Sequence, residues 1–247
     1  MPSKPFHGLR AALAAAALLA AAPLAATPQI QEWTTANGSR VLFIAADALP
    51  MVDVQVVFDA GSARDGSAYG LAQLTSALLD EGAGDHDADA VAATFEGLGA
   101  RFSQGADRDT ASVSLRSLTE PGLLEPAVEM FATVLAEPTF PAEAFARERD
   151  RMRIALQAVQ QSPGDLASRA FYRAVYGDHP YGNPPGGTEE SLDALTREQV
   201  AAFFASRYVA RNAVVAIVGD LDRAGAEALA ERITAGLARG EKAPPLP

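Results

Sequence analysis

Few residues in this chain could do chemistry, and their spacing excludes more than it allows. There is no cysteine, which rules out thiol nucleophiles, disulfides and thiolate metal sites. The three histidines, His7, His86 and His179, include no pair at the short spacing of a metal-binding helix. From Asp85 to Glu96, acids fall at the first, third, fifth and twelfth places of an EF-hand-like loop. Its sixth place is Ala90, where the sharp turn requires glycine, and Ala88 to Leu98 reads as a helix, so these acids read as an acidic N-terminal cap. Ser76, His179 and an aspartate could be assembled into a triad on paper, but no G-x-S-x-G elbow supports it. Neither common glycine-rich phosphate loop occurs. One stretch, Gly70 to Glu81 (GLAQLTSALLDE), has a suggestive frame. Leu71, Leu74, Leu78 and Leu79 form an apolar stripe, and Gln73 and Ala77 stand one turn apart with Ser76 beside them. Two imidazoles and a carboxylate at those places would hold a metal ion and activate a water; glutamine, alanine and serine do not.

The elements that must position this helix are legible from period and punctuation. Strands are predicted at Gln29 to Thr35 and Arg40 to Ala46, joined by the tight turn Asn37-Gly38, and at Met51 to Phe58. A Gly/Ser loop with Arg64 and Asp65 leads into the helix. Further strands are expected at Arg101 to Gln104, Thr110 to Ser117 and Ala213 to Gly219. Helices are expected at Leu123 to Ala136, Pro141 to Gln161 with Glu148, Arg149 and Asp150 on its wet side, Asp165 to Tyr176, Arg197 to Arg207 and Ala224 to Leu237. His179-Pro180-Tyr181-Gly182 and Pro184 to Thr188 read as a rigid loop, in which His179 has a structural role. Hairpins without regular βαβ alternation imply an α+β fold: two layers, a mixed, mainly antiparallel sheet covered by helices on one face.

Residues 1–26 have the basic start, apolar core and small-residue exit of a secretory signal, and Pro23 follows too soon for a membrane span. The mature protein is therefore expected to be exported, periplasmic or secreted, with no membrane span after cleavage. Its domain is expected over 27–239, followed by a linker or truncated C-terminus at 240–247. The formal net charge of −11, made more negative by loss of Lys4 and Arg10, argues against nucleic acid as a partner.

The order and wording of several segments resemble the N-terminal domain of the insulinase, pitrilysin and mitochondrial processing peptidase family. They are Asn37-Gly38, Asp59-Ala60-Gly61-Ser62, Gly70-Leu71-Ala72, His179-Pro180-Tyr181-Gly182 with Gly187-Thr188, Tyr208 to Asn212, and Val218-Gly219-Asp220. The resemblance implies a zinc endopeptidase fold, in which two histidines and a distant glutamate hold the metal and a helix glutamate is the base. It places the first histidine at Gln73, the base at Ser76 and the second histidine at Ala77. The third ligand, about 77 positions after the second histidine in family sequences, falls at Ile154. Asp150, one turn earlier, is the nearest carboxylate that could substitute. All four functional positions are thus vacated, and zinc is expected only in a catalytic partner. The resemblance implies a non-catalytic homologue that partners a zinc-containing homologous subunit or a second homologous domain around a chamber for peptide substrate. The alternatives are a peptide- or protein-binding module with no proteolytic role, and a peptidase using an unrecognised site.

Overall fold

The computed structural model describes residues 29–247; the expected signal peptide lies outside the described residues. Alternation of apolar and polar residues builds the sheet. In β3 (Met51–Phe58), Val52, Val54, Val56 and Phe58 point into the core while Asp53 and Gln55 face away. β2 (Arg40–Ala45) contributes Val41 and Phe43, β7 (Ala111–Leu118) Val113 and Leu115, and β8 (Ala213–Gly219) Val215 and Ile217 to the same face. With β1 (Gln31–Thr34) and β6 (Arg101–Ala106) they form one six-stranded sheet of order β1-β2-β8-β3-β7-β6. Only the β2 to β8 pairing is parallel. This is the two-layer α+β architecture the pattern implied.

Helices cover the apolar face. α3 (Pro121–Ala136) and α8 (Arg223–Thr234) pack on each other and against the sheet, burying Phe131, Leu135 and Ile233 completely. Each such side chain contributes about 1.5–3 kcal/mol of burial. α2 (Ala88–Gly97) closes the β6 end, where Phe95 stacks on Phe102. α1 (Leu71–Ala77) lies between β6 and α7 (Arg197–Arg207), and α4 (Ala142–Gln160) packs across it. α5 (Pro163–Tyr176) and α6 (Glu189–Ala194) then fold back on α4.

The structure differs from expectation in short segments. Glu81 to Asp89, read as a loop, contains a small hairpin of β4 (Gly82–Ala83) and β5 (His86–Asp87). α6 follows the Pro/Gly-rich loop 184–188 directly, and six residues are too few to show a helical period. Ser162, not Asp165, caps α5 by accepting from the Asp165 amide at 3.4 Å. Glu148 is not on the wet side of α4: it is only 8% exposed. Residues 240–247, expected as a linker, lie along the domain. Arg64 Nη1 donates to Pro244 O at 2.6 Å, and Ala243 N donates to Asn212 Oδ1 at 3.1 Å.

Candidate functional site

Helix α1 is only seven residues long, so neighbours must hold it. Asp65 does so from the preceding loop: Oδ2 accepts from Gly70 N at 2.8 Å and Oδ1 from Ala72 N at 2.9 Å. These amides are among the donors a helix N-terminus leaves unsatisfied. Asp65 is almost fully buried, and burial pushes its carboxyl up to about 7 against the lowering effect of the backbone donors. Gly70 enters the helix at φ 94°, a conformation that favours glycine. Gly187 also needs its missing side chain: at φ 78°, a Cβ there would sit 2.6 Å from Tyr69 O. Ser191 Oγ donates to the same carbonyl at 2.8 Å, so the 184–188 loop is clamped against the mouth of α1.

The clamp leaves a hollow of about 330 Å³ between α1, α4 and the loop. Gln73 lines it from α1, Met152, Ala155, Leu156 and Val159 from α4, and Pro185 and Gly186 from the loop. The Gln73 Oε1 points toward Gly186, and a Cβ added to that glycine would meet it at 3.6 Å. Among the described residues the Gln73 amide has no hydrogen-bond partner, so it is available to whatever occupies the hollow.

The remaining sequence-predicted positions separate. Ala77 follows Gln73 by one turn and is half-buried. Ser76 turns inward and is 2% exposed. Its Oγ and the hydroxyl of Tyr208 are neighbours outside hydrogen-bonding geometry, so both buried groups are unpartnered. Burial raises the Tyr208 phenol well above its usual range. Ile154 is 66% exposed and takes no part in lining the hollow. Its neighbour Ala155, itself exposed, borders the hollow, and Leu156 after it is buried. Asp150 is exposed and pairs with Arg153 at 3.6 Å.

The buried acid of α4 is Glu148, about two turns before Ala155. Its Oε1 lies 2.5 Å from Arg151 Nη1, and Arg147 bridges it to Glu81. Burial, followed by the nearby Glu81 carboxyl, raises the Glu148 carboxyl above its ordinary value despite the two arginines. This carboxylate is engaged in a local ion-pair network.

Neither paper alternative assembles. Ser76 is enclosed, whereas His179 accepts from Tyr181 N at Nδ1 and contacts Pro247 O through Nε2, each at 3.1 Å. Asp87 Oδ1 accepts from Ala90 N at 2.9 Å, so the acids around His86 do cap α2. A zinc ion in the hollow would find one neutral amide, the thioether of Met152, the guanidinium of Arg169 and otherwise aliphatic side chains. That donor set does not fit the metal, which requires histidine or carboxylate ligands. Among the described residues, no three His, Asp or Glu side chains converge on a point.

Residues 40–189 match the model for the insulinase family, peptidase family M16, and residues 194–247 match the peptidase M16 inactive domain. An uncharacterized zinc protease of Rickettsia felis is 26% identical over 85% of this chain and 51% of its own length. A probable mitochondrial-processing peptidase subunit beta of Schizosaccharomyces pombe is 23% identical over 83% of this chain and 45% of its own. Among solved structures, a peptidase M16 inactive domain from Pseudomonas fluorescens is 44% identical, with a TM-score of 0.87, covering 89% of this chain and 53% of that one. The first half of the periplasmic protease PqqL from Escherichia coli shares the fold at 20% identity and a TM-score of 0.79, covering 90% of this chain and 50% of that one. The chain spans about half the length of the curated relatives it matches.

Proposed function

Given that the chain belongs to the insulinase family of peptidases, family M16, we propose that it is a non-catalytic member that shapes a peptide-holding chamber for an active, zinc-containing homologous chain or domain. The observation that carries this reading is the hollow beside Gln73. It lies on the helix where the family pattern puts its metal, and its walls offer no set of zinc ligands. Ser76 strengthens the case, because a side chain enclosed at 2% exposure cannot deliver a base to substrate.

A chamber half needs a complementary half. The relatives are about twice as long as the matched region, and one solved relative was described as a first half, which supports a second homologous unit beside this one. The signal-like residues 1–26 and the likeness to a periplasmic protease support export. The domain is assigned to 27–239, with 240–247 held along its surface.

The test is purification from the native source followed by metal analysis and peptide cleavage. The reading predicts that the chain carries no stoichiometric zinc, and that cleavage appears only in fractions that also contain a homologue with an intact H-x-x-E-H helix. Stoichiometric zinc on the isolated chain, or peptide cleavage by it alone, would overturn the proposal.

A further inference from the structure

The hollow beside Gln73 adjoins a second pocket, and the two share Val159, Arg169 and Pro185 as walls. This second pocket, also about 330 Å³, differs in character. It gathers Arg108, Arg169 and Arg173 against a single acid, Asp165, in a chain whose net charge is −11. The arginines come from two places. Arg169 and Arg173 are one turn apart on α5, and Arg108 reaches across from the turn between β6 and β7.

Arg108 is built into position. Its guanidinium carbon lies 3.9 Å from the Tyr172 ring centroid, and Nη1 donates to Tyr181 O at 2.8 Å and Asn183 O at 3.0 Å. Those two bonds use one nitrogen, leaving Nε and Nη2 without a described partner. Arg153 and Arg173 find Asp150, Asp193 and Asp178, but Arg169 pairs with no described carboxylate, although Asp165 lies one turn before it. Arg169 is half-buried on the wall common to both pockets. Val159, Pro184 and Pro185 give it apolar walls, beside which an ionic contact is stronger than on open surface.

Resting on the reading that the Gln73 hollow holds peptide, we propose that the arginine pocket is a subsite for a carboxylate of that peptide, either an acidic side chain or the C-terminus. A guanidinium presents paired N–H donors that match the two oxygens of a carboxylate. The apolar walls take the methylene or main-chain atoms that carry it. The net charge of −11 gives a carboxylate no long-range attraction, so recognition is short-range.

Fluorescence anisotropy with labelled peptides of about ten residues tests this. The three peptides share an apolar sequence and carry either one Glu with an amidated C-terminus, Gln with an amidated C-terminus, or Gln with a free C-terminus. At least one carboxylate-bearing peptide is expected to bind about ten-fold more tightly than the neutral one, a difference of about 1.4 kcal/mol. Which one does so identifies the source of the carboxylate. Arg169→Glu should abolish the preference, and Arg169→Lys should keep part of it, with circular dichroism and melting temperature unchanged. Arg169 makes no described hydrogen bond, so these variants spare the loop that Arg108 supports. Equal binding of all three peptides, or a preference that survives Arg169→Glu, would overturn the subsite while leaving peptide binding in place. Displacement of the acidic peptide by an equal concentration of inorganic phosphate would overturn the carboxylate assignment. Failure of every peptide to bind would remove the underlying chamber reading along with it.

Discussion

Rebuilding a zinc site tests the register of α4 against α1. The variant combines Gln73→His, Ala77→His and Ala155→Glu. Positions 73 and 77 are one helical turn apart, so their Cβ atoms lie about 5–6 Å from each other, a separation two imidazoles can close around one ion. Ala155 lines the same hollow as Gln73 and supplies the third ligand from α4. Substitutions at 73 and 155 extend into open space, whereas the half-buried Ala77 must accept a ring, which costs about 1–3 kcal/mol without metal. With free zinc at about one hundred times the dissociation constant, binding returns about 2.7 kcal/mol. For a domain of this size that is a rise in melting temperature of roughly 5–10 °C over the same variant in chelator. Scanning fluorimetry with and without zinc, together with metal analysis, reads both quantities. The control carries Ile154→Glu in place of Ala155→Glu. A residue's step around a helix is about 100°, so this carboxylate projects into solvent and the zinc-dependent rise should be absent or small. An equal rise in both variants, or none in the first, would refute the assignment of Ala155 to the hollow.

Three further outcomes follow from the groups around α1. The Asp65 carboxyl sits at about 7 in the fold against 3.8 as its reference, so between these values the folded state holds the extra proton. Stability from this group is present below about pH 4 and is lost as pH rises to about 7, by at most about 4 kcal/mol. In urea unfolding, the advantage of the native protein over Asp65→Asn should therefore shrink between pH 4.5 and 7.5, and an unchanged gap would sink the reasoning. Ser76→Glu places a carboxylate beside the Tyr208 hydroxyl with no cation, and should cost about 3–5 kcal/mol in chemical denaturation. Ser76→Ala should stay within about 1 kcal/mol, because the hydroxyl it removes makes no hydrogen bond. Gly187→Ala drives a methyl into Tyr69 O at a left-handed backbone and should lower stability by about 1–3 kcal/mol, visible as a lower melting temperature.

Long or strongly patterned segments carried the fold in the sequence. β3 and β8 announced themselves by alternating or continuous apolar residues, and the observed strands Met51–Phe58 and Ala213–Gly219 have the same bounds as expected. Asn37-Gly38 announced the β1–β2 hairpin, in which Thr35 N bonds Ser39 O at 2.9 Å. Short elements were silent, because β4, β5 and α6 contain too few residues for a period to form. The candidate site divides into residues that share a local frame with a motif and residues that do not. Gln73, Ser76 and Ala77 could be named from their neighbours, since motif and helix share one local frame. Ile154 could not be settled by counting, since its distance from Ala77 runs through loops in which one residue more or less rotates the side chain to another face. Arg108 and Arg169 gave no signal at all: they are 61 positions apart, joined only by the way α5 folds back against the β6–β7 turn.

A helix positioned by a metal ion would need its ligands to hold it in place, whereas the contacts that hold α1 all come from the protein itself. Its N-terminus is tied by Asp65, its entry is fixed by the Gly187 contact with Tyr69, and its inner face packs Leu71, Leu74 and Thr75 against the sheet and α7. None of these contacts passes through Gln73 or Ala77, the residues expected at the ligand positions. The scaffold and the donor set are therefore physically separable. Substitutions at 73 and 77 that fit the space are expected to cost little stability, and the hollow, its open glutamine amide and the arginine pocket beside it do not depend on a metal ion. Under the proposed function, that separation lets the hollow keep its shape for peptide with no metal ion in it.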